Sequence, residues 1–408
     1  MTLIKESKPN GLRGRKILWV TSIQGFFLFK PSLLEILEHL ATRGHSVVLM
    51  AMWPKNSVRV KTAKMRIVSV PLRYVPLLSS VMYAIILWFF LPVYVIVSKP
   101  DFIMFEPDFT IFSSIPGLIV SRFSRVKFVL DVRSTPVDIG FLGLKQNLLF
   151  TASVLLAKKL FDGMTIITSL MQKEVCSKFN IDPNEVGVWT SGVSTKLFDP
   201  ENCISDSKEL KRKLGLTGKF VVFYHGAIGL TRGLTETIEG IRILSHKHPT
   251  IVFFLLGSGY NVTMRLIRDL IYKEGLQENV MIHDPVNQSE VPKFIGMSDI
   301  CIVPLPDHPF WRSQSPLKLL EYLAMGKVVV LSAIPAHRVV IGKAKCGIYI
   351  SSVKPIEIAK ALEYAYSNKE ALEGWGKMGR KIVEEEYTWE KVARDLEDYL
   401  LSIDNRAE

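Results

Sequence analysis

Along the chain, short runs of apolar residues alternate with longer stretches in which apolar positions recur at helical spacing. Residues 16–22 read as a strand, 31–42 as an amphipathic helix ended by Gly44, and 45–51 as a second strand. Further strands are expected at 101–106, 127–131, 163–168 and 187–190. A polar stretch rich in Lys and Glu, 201–219, reads as a linker and entry helix. The alternation then starts afresh, with strands at 220–225, 251–256, 280–283, 300–304, 327–331 and 347–350. Helices are expected at 236–246, 262–273, 355–367 and 381–401. Strands apolar on both faces belong to parallel sheets covered by helices. Strand, helix, strand is the opening of a Rossmann-like half, so the expected fold class is α/β with two such halves.

Residues 74–98 stand apart, as 25 residues without a charge between Arg73 and Lys99. About 20 apolar residues suffice to span a bilayer. A span here would leave strands of one sheet on opposite sides of the membrane, and Pro76 and Pro92 interrupt the run. The segment is expected to form one or two apolar helices, partly packed on the sheet and partly in the bilayer interface. A very apolar buried helix explains the same residues.

Candidate chemistry gathers around Ser315-Pro-Leu-Lys-Leu-Leu-Glu321-Tyr-Leu-Ala-Met-Gly326. Ser315 can cap a helix, Pro316 suits its first position, and Gly326 suits the left-handed residue that ends it. Free amides at Leu317 and Lys318 would then seat an anion. Glu321 lies in an apolar run, where an unpaired carboxylate is costly, or it forms a surface pair with Lys318. In the turn 224–234, Gly226, Gly229 and Gly233 let backbone amides approach a phosphate, and Arg232 adds a forked cation. The turn after the first strand has one glycine, Gly25, which is no dinucleotide fingerprint and argues against a nicotinamide or flavin enzyme. Asp131 and Arg133 end a strand where ligand crevices open, though a salt-bridged turn explains them equally. His225, His283 and His337 are acid/base candidates beside the alternative of ordinary core or surface histidines, and Cys301 reads as a buried thiol.

Charge narrows the partners. Residues 1–200 hold 24 Lys and Arg against 13 Asp and Glu, whereas the remainder is nearly balanced at 27 to 26. A one-sided excess suggests a polyanion, and with no nucleic-acid motif an anionic membrane leaflet is expected. The four cysteines (Cys176, Cys203, Cys301, Cys346) have no paired spacing, so neither a metal site nor a disulfide framework is expected, and a reducing compartment follows. The polar, basic first sixteen residues predict no cleavable leader.

Ser315-Pro-x-Lys-x-x-Glu321-Tyr-x-Ala-x-Gly326-Lys-x-Val resembles the donor helix of the retaining nucleotide-sugar glycosyltransferases of family 4, the group 1 glycosyltransferases. The resemblance implies a GT-B fold, with two Rossmann-like domains whose parallel sheets face an interdomain cleft. It implies an N-terminal acceptor and membrane-docking domain at 1–195, a donor domain at 196–375, and a C-terminal helix at 376–408 crossing back to the first domain. Glu321 stands where the family grips the ribose, and the helix start at Pro316, Leu317, Lys318 and Leu319 where it holds the diphosphate. Gly226, Ala227, Gly229 and Arg232 resemble the family's Gly-Arg-x-x-x-x-x-Lys-Gly loop, Gly257 and Gly259 its nucleotide-lining turn, and Val286 the position that meets the base. Gly25, Asp131 and Arg133 would face the acceptor. The sequence departs at Ser313, where the family's first glutamate stands, and at Ala227, where an arginine does. Segment 191–200 resembles the family's domain junction, with Ser191 and Ser194 replacing Asn and Asp.

The resemblance implies a cytoplasmic, membrane-associated enzyme that moves a sugar from a nucleotide-sugar to a saccharide or lipid-linked acceptor in cell-envelope or glycan synthesis. Configuration would be retained without a covalent nucleophile or metal, with Arg232 and Glu321 as the residues essential to catalysis. A noncatalytic nucleotide-sugar-binding subunit and a sugar-nucleotide epimerase are the alternatives.

Overall fold

The computed structural model describes residues 14–24, 31–52, 65–70, 72, 75, 78–136 and 140–405. The chain divides into two units, one comprising residues 1–167, 172–189 and 393–408 and the other 168–171 and 190–392.

In the first unit the described strands are β1 (Lys16–Gln24), β2 (Ser46–Met52), β3 (Arg66–Val70), β4 (Phe102–Phe105), β5 (Lys127–Val132), β6 (Gly163–Ile166) and β7 (Val186–Val188). They form one sheet in the order β3-β2-β1-β4-β5-β6-β7 with every pairing parallel. The direction of winding reverses between β1 and β4, where Ile17 lies between Val47 and Phe102. All four residues of β4 are buried, so its Phe-Ile-Met-Phe needs no polar face. Strand β7 ends at Val188, earlier than expected, although the Trp189 amide still donates to the Ile166 carbonyl at 3.1 Å; the Trp189 indole N–H donates to Asp131 at 2.8 Å.

The uncharged segment forms a single helix, Leu78–Ser98, that continues through Pro92. Tyr74 and Pro76 lie outside the described residues. One stripe of the helix is buried, with Ser79, Tyr83, Leu87, Leu91 and Val95 spaced four apart. The Tyr83 hydroxyl donates to the Met50 carbonyl at 3.0 Å, pinning the helix against β2.

The single helix expected at 381–401 is two helices, Lys369–Glu386 and Trp389–Asn405, broken at Tyr387 and Thr388. Within the first unit the end of the second helix is locked by a buried carboxylate. Glu397 accepts from Arg43 Nε at 2.6 Å and lies 2.9 Å from His45 Nε2. Tyr399 accepts from the Met164 amide at 2.9 Å and donates to the Glu185 carbonyl at 2.7 Å.

The second unit carries β8 (Phe220–His225), β9 (Ile251–Leu256), β10 (Val280–His283), β11 (Ile300–Val303), β12 (Val329–Ser332) and β13 (Gly347–Ile350). Their order is β10-β9-β8-β11-β12-β13, again all parallel, with the reversal between β8 and β11. Apolar clusters cover both faces, one holding Leu319 and Leu323 and the other Ile238 and Leu362. Strand β12 starts at Val329, two residues later than expected, because the Lys327 amide still closes the preceding helix on the Tyr322 carbonyl at 3.0 Å; its ammonium binds the carbonyls of Gly296 (2.9 Å) and Ser298 (2.6 Å). The fold class is therefore α/β, with two Rossmann-like units.

Gly187 shows how closely the C-terminal helix sits. A β-carbon there would fall 2.4 Å from Tyr399 Cγ. Gly187→Ala should destabilise the protein by about 1–3 kcal/mol, as overpacking does, and Tyr399→Ala in the same chain should recover part of that loss in urea unfolding.

Candidate functional site

Open parallel sheets bind ligands at the carboxyl ends of their strands, where the winding reverses. In the second unit that place is the end of β8, occupied by His225, with the helix Leu317–Ala324 beside it. His225 joins the two. Its backbone amide donates to the Tyr322 hydroxyl at 3.0 Å, and its Nδ1 lies 3.0 Å from the same oxygen. Since the Glu321 carboxylate can only accept, Nε2–H donates to it at 2.8 Å, and in the neutral ring Nδ1 then accepts the Tyr322 hydroxyl proton. Glu321 is 6% exposed. It is therefore no surface partner of Lys318; the imidazole orients it.

Lys318 turns to the other side of the same strand end. Its ammonium donates to the Tyr224 hydroxyl at 2.9 Å and lies 4.1 Å from the centre of that ring. Tyr224 in turn donates to the Ala227 carbonyl at 2.8 Å. The backbone at Gly226 has φ +109°, so the turn needs glycine there, and a β-carbon would lie in ordinary contact with the Lys318 ammonium at 3.5 Å. Burial lowers the Lys318 pKa, the Arg232 guanidinium lowers it further, and Tyr224 and Glu321 oppose the shift. Arg232, on the short turn Leu230–Arg232, holds its guanidinium 5.0 Å from the Trp311 ring centre. Arg232, Lys318 and Glu321 thus belong to one electrostatic neighbourhood.

The second glycine turn serves its neighbour. A β-carbon at Gly257 would lie 2.0 Å from the Gly226 carbonyl oxygen, and one at Gly259 would lie 2.0 Å from that of Ile228. Amides tie the same strands of chain together, Gly226 to Leu256 at 2.9 Å and Ile228 to Ser258 at 2.8 Å. These glycines are what allow the turn carrying Gly226, Ala227 and Gly229 to lie against the next one. Val286 is half-buried and packs on the core.

The helix start differs from its expected form. Pro316 is the cap residue, without a side-chain cap bond. Ser315 does not cap, because its hydroxyl accepts the Ser191 amide at 3.2 Å and lies 3.1 Å from Thr190 Oγ1. The Leu317 amide is already given to the Ser315 carbonyl at 3.1 Å, and the Leu319 amide to Pro316 at 2.9 Å. Gly326 does end the helix, with φ +64°. Ser313 is buried, its carbonyl accepting from Thr168 Oγ1 at 2.6 Å.

In the first unit Asp131 is wholly buried, accepting from Trp189 Nε1 at 2.8 Å and Thr165 Oγ1 at 2.7 Å. Arg133 stacks 3.4 Å over the Trp189 ring and donates to the Trp189 carbonyl at 2.8 Å. It also lines a cavity of about 390 Å³ with Ser22, Glu106, Asp108, Ser134 and Gln146. Burial pulls this guanidinium down to about 10, against Asp131 and Glu106, which leaves it charged at neutral pH. Gly25 lies outside the described residues.

Two other candidates are placed elsewhere. His337 is fully buried, its Nδ1 donating to the Ser332 carbonyl at 2.8 Å, and Cys301 is a core thiol pushed up to about 12 by burial. His283 ends β10 with Nδ1 2.8 Å from the Asp284 carbonyl. Among the described residues no three His, Cys, Asp or Glu side chains form a metal-binding group. Tyr224, Tyr322 and Trp311 escaped the sequence reading; only the adjacency of Tyr322 to Glu321 and of Tyr224 to His225 could have suggested two of them.

Residues 206–382 match the family model described as "Glycosyl transferases group 1". Over 232 residues the chain is 25% identical to glycosyltransferase MJ1607 of Methanocaldococcus jannaschii, covering 56% of this chain and 57% of that one. Against the curated relatives it matches first, the chain spans 57% to 62% of their length. The structure is similar to that of a glycosyltransferase from Rickettsia africae, with TM-score 0.76, 14% identity, and 96% and 99% of the two chains covered. It is also similar to Anabaena Alr3699/HepE in complex with UDP and glucose, with TM-score 0.73, 15% identity, and 95% and 100% covered. The two Rossmann-like units are those of the GT-B fold.

His337 gives stability a pH dependence. Burial holds its pKa at about 4, whereas the unfolded chain protonates near 6.5. Between those values the unfolded state binds more protons, so stability falls as pH falls through this window, by about 3 kcal/mol in all. His337→Gln should flatten the fall between pH 6.5 and 4 in chemical unfolding measured at each pH.

Proposed function

We propose that the protein transfers a sugar from a nucleotide-sugar to a saccharide or lipid-linked acceptor, with retention of configuration, as a family 4 glycosyltransferase of cell-envelope or glycan synthesis. The observation that carries this reading is the convergence of two cations, Lys318 and Arg232, at the Gly226 turn beside the Glu321 carboxylate. A nucleoside diphosphate supplies the complementary charges, with phosphates for the cations and ribose hydroxyls for the carboxylate. Ala227 replaces one cation of the family's loop, and Lys318, reaching the same turn from the helix, supplies a second.

Charge builds on the leaving diphosphate as the glycosidic bond breaks, so cations fixed there act mainly on the transition state. The acceptor hydroxyl attacks from the face the diphosphate leaves, and the departing phosphate takes its proton. No protein nucleophile and no metal is assigned to the step. The Arg133 cavity, with Glu106 and Asp108 to accept from sugar hydroxyls, is the acceptor pocket in this reading. The acceptor is met at a membrane surface from the cytoplasmic side. A noncatalytic sugar-nucleotide-binding subunit is the second reading, favoured by Ser313, a buried hydroxyl where the family has a carboxylate.

A thermal-shift panel of nucleoside diphosphates and their sugars should give one selective stabiliser, and a flat panel would sink both readings. With that donor, Arg232→Ala should lower turnover by the equivalent of about 2–4 kcal/mol with acceptor affinity unchanged, while Glu321→Ala should mainly weaken donor binding. Selective binding with no transfer by the isolated chain would favour the second reading.

Lys318 makes donor binding pH-dependent. Its lowered pKa means that it loses its proton earlier than an ordinary lysine as pH rises. Affinity for the nucleoside diphosphate should therefore decline on the alkaline side of neutrality in titration calorimetry. Lys318→Arg should remove that decline, and Lys318→Met should bind weakly at every pH.

A further inference from the structure

One face of the first unit's sheet is covered by helices whose outer surface is apolar and carries no carboxylate. The connections from β3 to β4, β4 to β5 and β5 to β6 all step across the parallel sheet in one direction. Right-handed crossovers therefore place the helices Leu78–Ser98, Ser114–Ser121 and Gly140–Leu160 on one face. None of the three contains Asp or Glu. Beyond its buried stripe, Leu78–Ser98 leaves Phe89 and Val97 exposed at 71% and 75%. Leu144 and Leu148, one turn apart on Gly140–Leu160, are also exposed. Phe123 follows the middle helix at 91% exposure, between the exposed Arg122 and Arg125. Lys99 and Lys145 add two more exposed cations.

Apolar patches this extended on a water-facing surface mark an interaction site. Charge selects the occupant. A second copy of the chain would set cations against cations, whereas an anionic leaflet neutralises them as the apolar side chains enter it. We propose that this three-helix layer is the surface on which the protein lies on an anionic lipid bilayer, with Phe89, Val97 and Phe123 at the acyl boundary and Lys99, Arg122, Arg125 and Lys145 at the headgroup phosphates. The helix Leu78–Ser98 lies along the surface and does not cross it, because its buried stripe packs on the sheet and β3 and β4, on either side of it in sequence, belong to that one sheet. The helix Gly140–Leu160 also lends Gln146 and Phe150 to the Arg133 cavity. Docking thus brings that cavity to within about one helix diameter, about 10 Å, of the headgroups.

The test is flotation of the full chain with vesicles of phosphatidylcholine alone and of phosphatidylcholine containing a third of phosphatidylglycerol. Binding should require the anionic lipid and weaken with salt. Arg122→Ala with Arg125→Ala should weaken it on the order of 20-fold, at about fivefold per cation. Phe89→Ser with Phe123→Ser should weaken it at least about tenfold. These side chains are exposed, so melting temperatures should stay at the parent value. Trp88, also exposed on this face, should be quenched by bromine-labelled lipid, and Trp88→Phe should remove that signal. Absence of binding, equal binding to both vesicles, or variants that bind like the parent would overturn the proposal. So would a concentration-dependent dimer, abolished by the two Phe substitutions and indifferent to vesicles, which would assign the face to a second copy. None of these readouts uses nucleotide or acceptor, so failure here would remove the membrane-surface part of the proposed function and leave the sugar-transfer step untouched, and failure of transfer would leave the docking surface standing.

Discussion

An ammonium and a guanidinium held close together in partly desolvated surroundings repel each other, and the candidate donor site depends on that repulsion being tolerated. Lys318 feels Arg232 as a charge that disfavours its own protonated form, on top of the cost of burial. Two neighbours offset this in the unliganded protein, the Tyr224 hydroxyl and the more distant Glu321 carboxylate. Neither cancels a full charge. A site built this way is left with unspent positive potential, and a bound dianion is the species that relieves it. Glu321 is prevented from relieving it directly, because His225 takes up its carboxylate at 2.8 Å. The imidazole thereby keeps the cations available and the carboxylate aimed.

That arrangement also explains the glycines. Position 226 has a left-handed backbone beside the Lys318 ammonium, and side chains at 257 and 259 would push the adjoining turn away from it. The three positions carry no chemistry of their own. They set how near a lysine from one element can come to the backbone of another.

Strands were legible where they are written as short apolar runs: β8 and β9, buried on both faces, and the half-buried β10 and β13 start and end where the sequence places them, whereas the more exposed β3 was not read. Errors fell where a polar group finds a partner that the local pattern does not show. Lys327 reads as the first residue of a strand until its amide is seen closing the preceding helix on the Tyr322 carbonyl. Ser315 reads as a helix cap until its hydroxyl is seen beside Thr190 and Ser191. The break at Tyr387 and Thr388 carries no proline or glycine to announce it. In the site, Arg232, Lys318 and Glu321 were legible from local motif and spacing. The His225–Glu321 bond joins residues 96 positions apart and leaves no local trace. The bonds of Asp131 to Thr165 and Trp189, 34 and 58 positions on, are equally invisible in the local sequence.

A parallel sheet buried on both faces restricts where chemistry can reside. Its strands cannot take a charge without a partner, so polar residues collect at their carboxyl ends and on the outer helices. His225 and His283 end β8 and β10 in one unit, while Glu106 and Arg133 follow β4 and β5 in the other. Substitution at such positions changes what is bound without disturbing the sheet. Ser313 and Ala227 fit that pattern: neither lies in a strand, and both stand where a charge is expected by resemblance. Small neutral residues at these two positions leave every strand of the sheet as it is. The outer helices show the pattern from the other side: Leu78–Ser98, Ser114–Ser121 and Gly140–Leu160 carry no carboxylate, so a proposed anionic surface would meet no like charge on them.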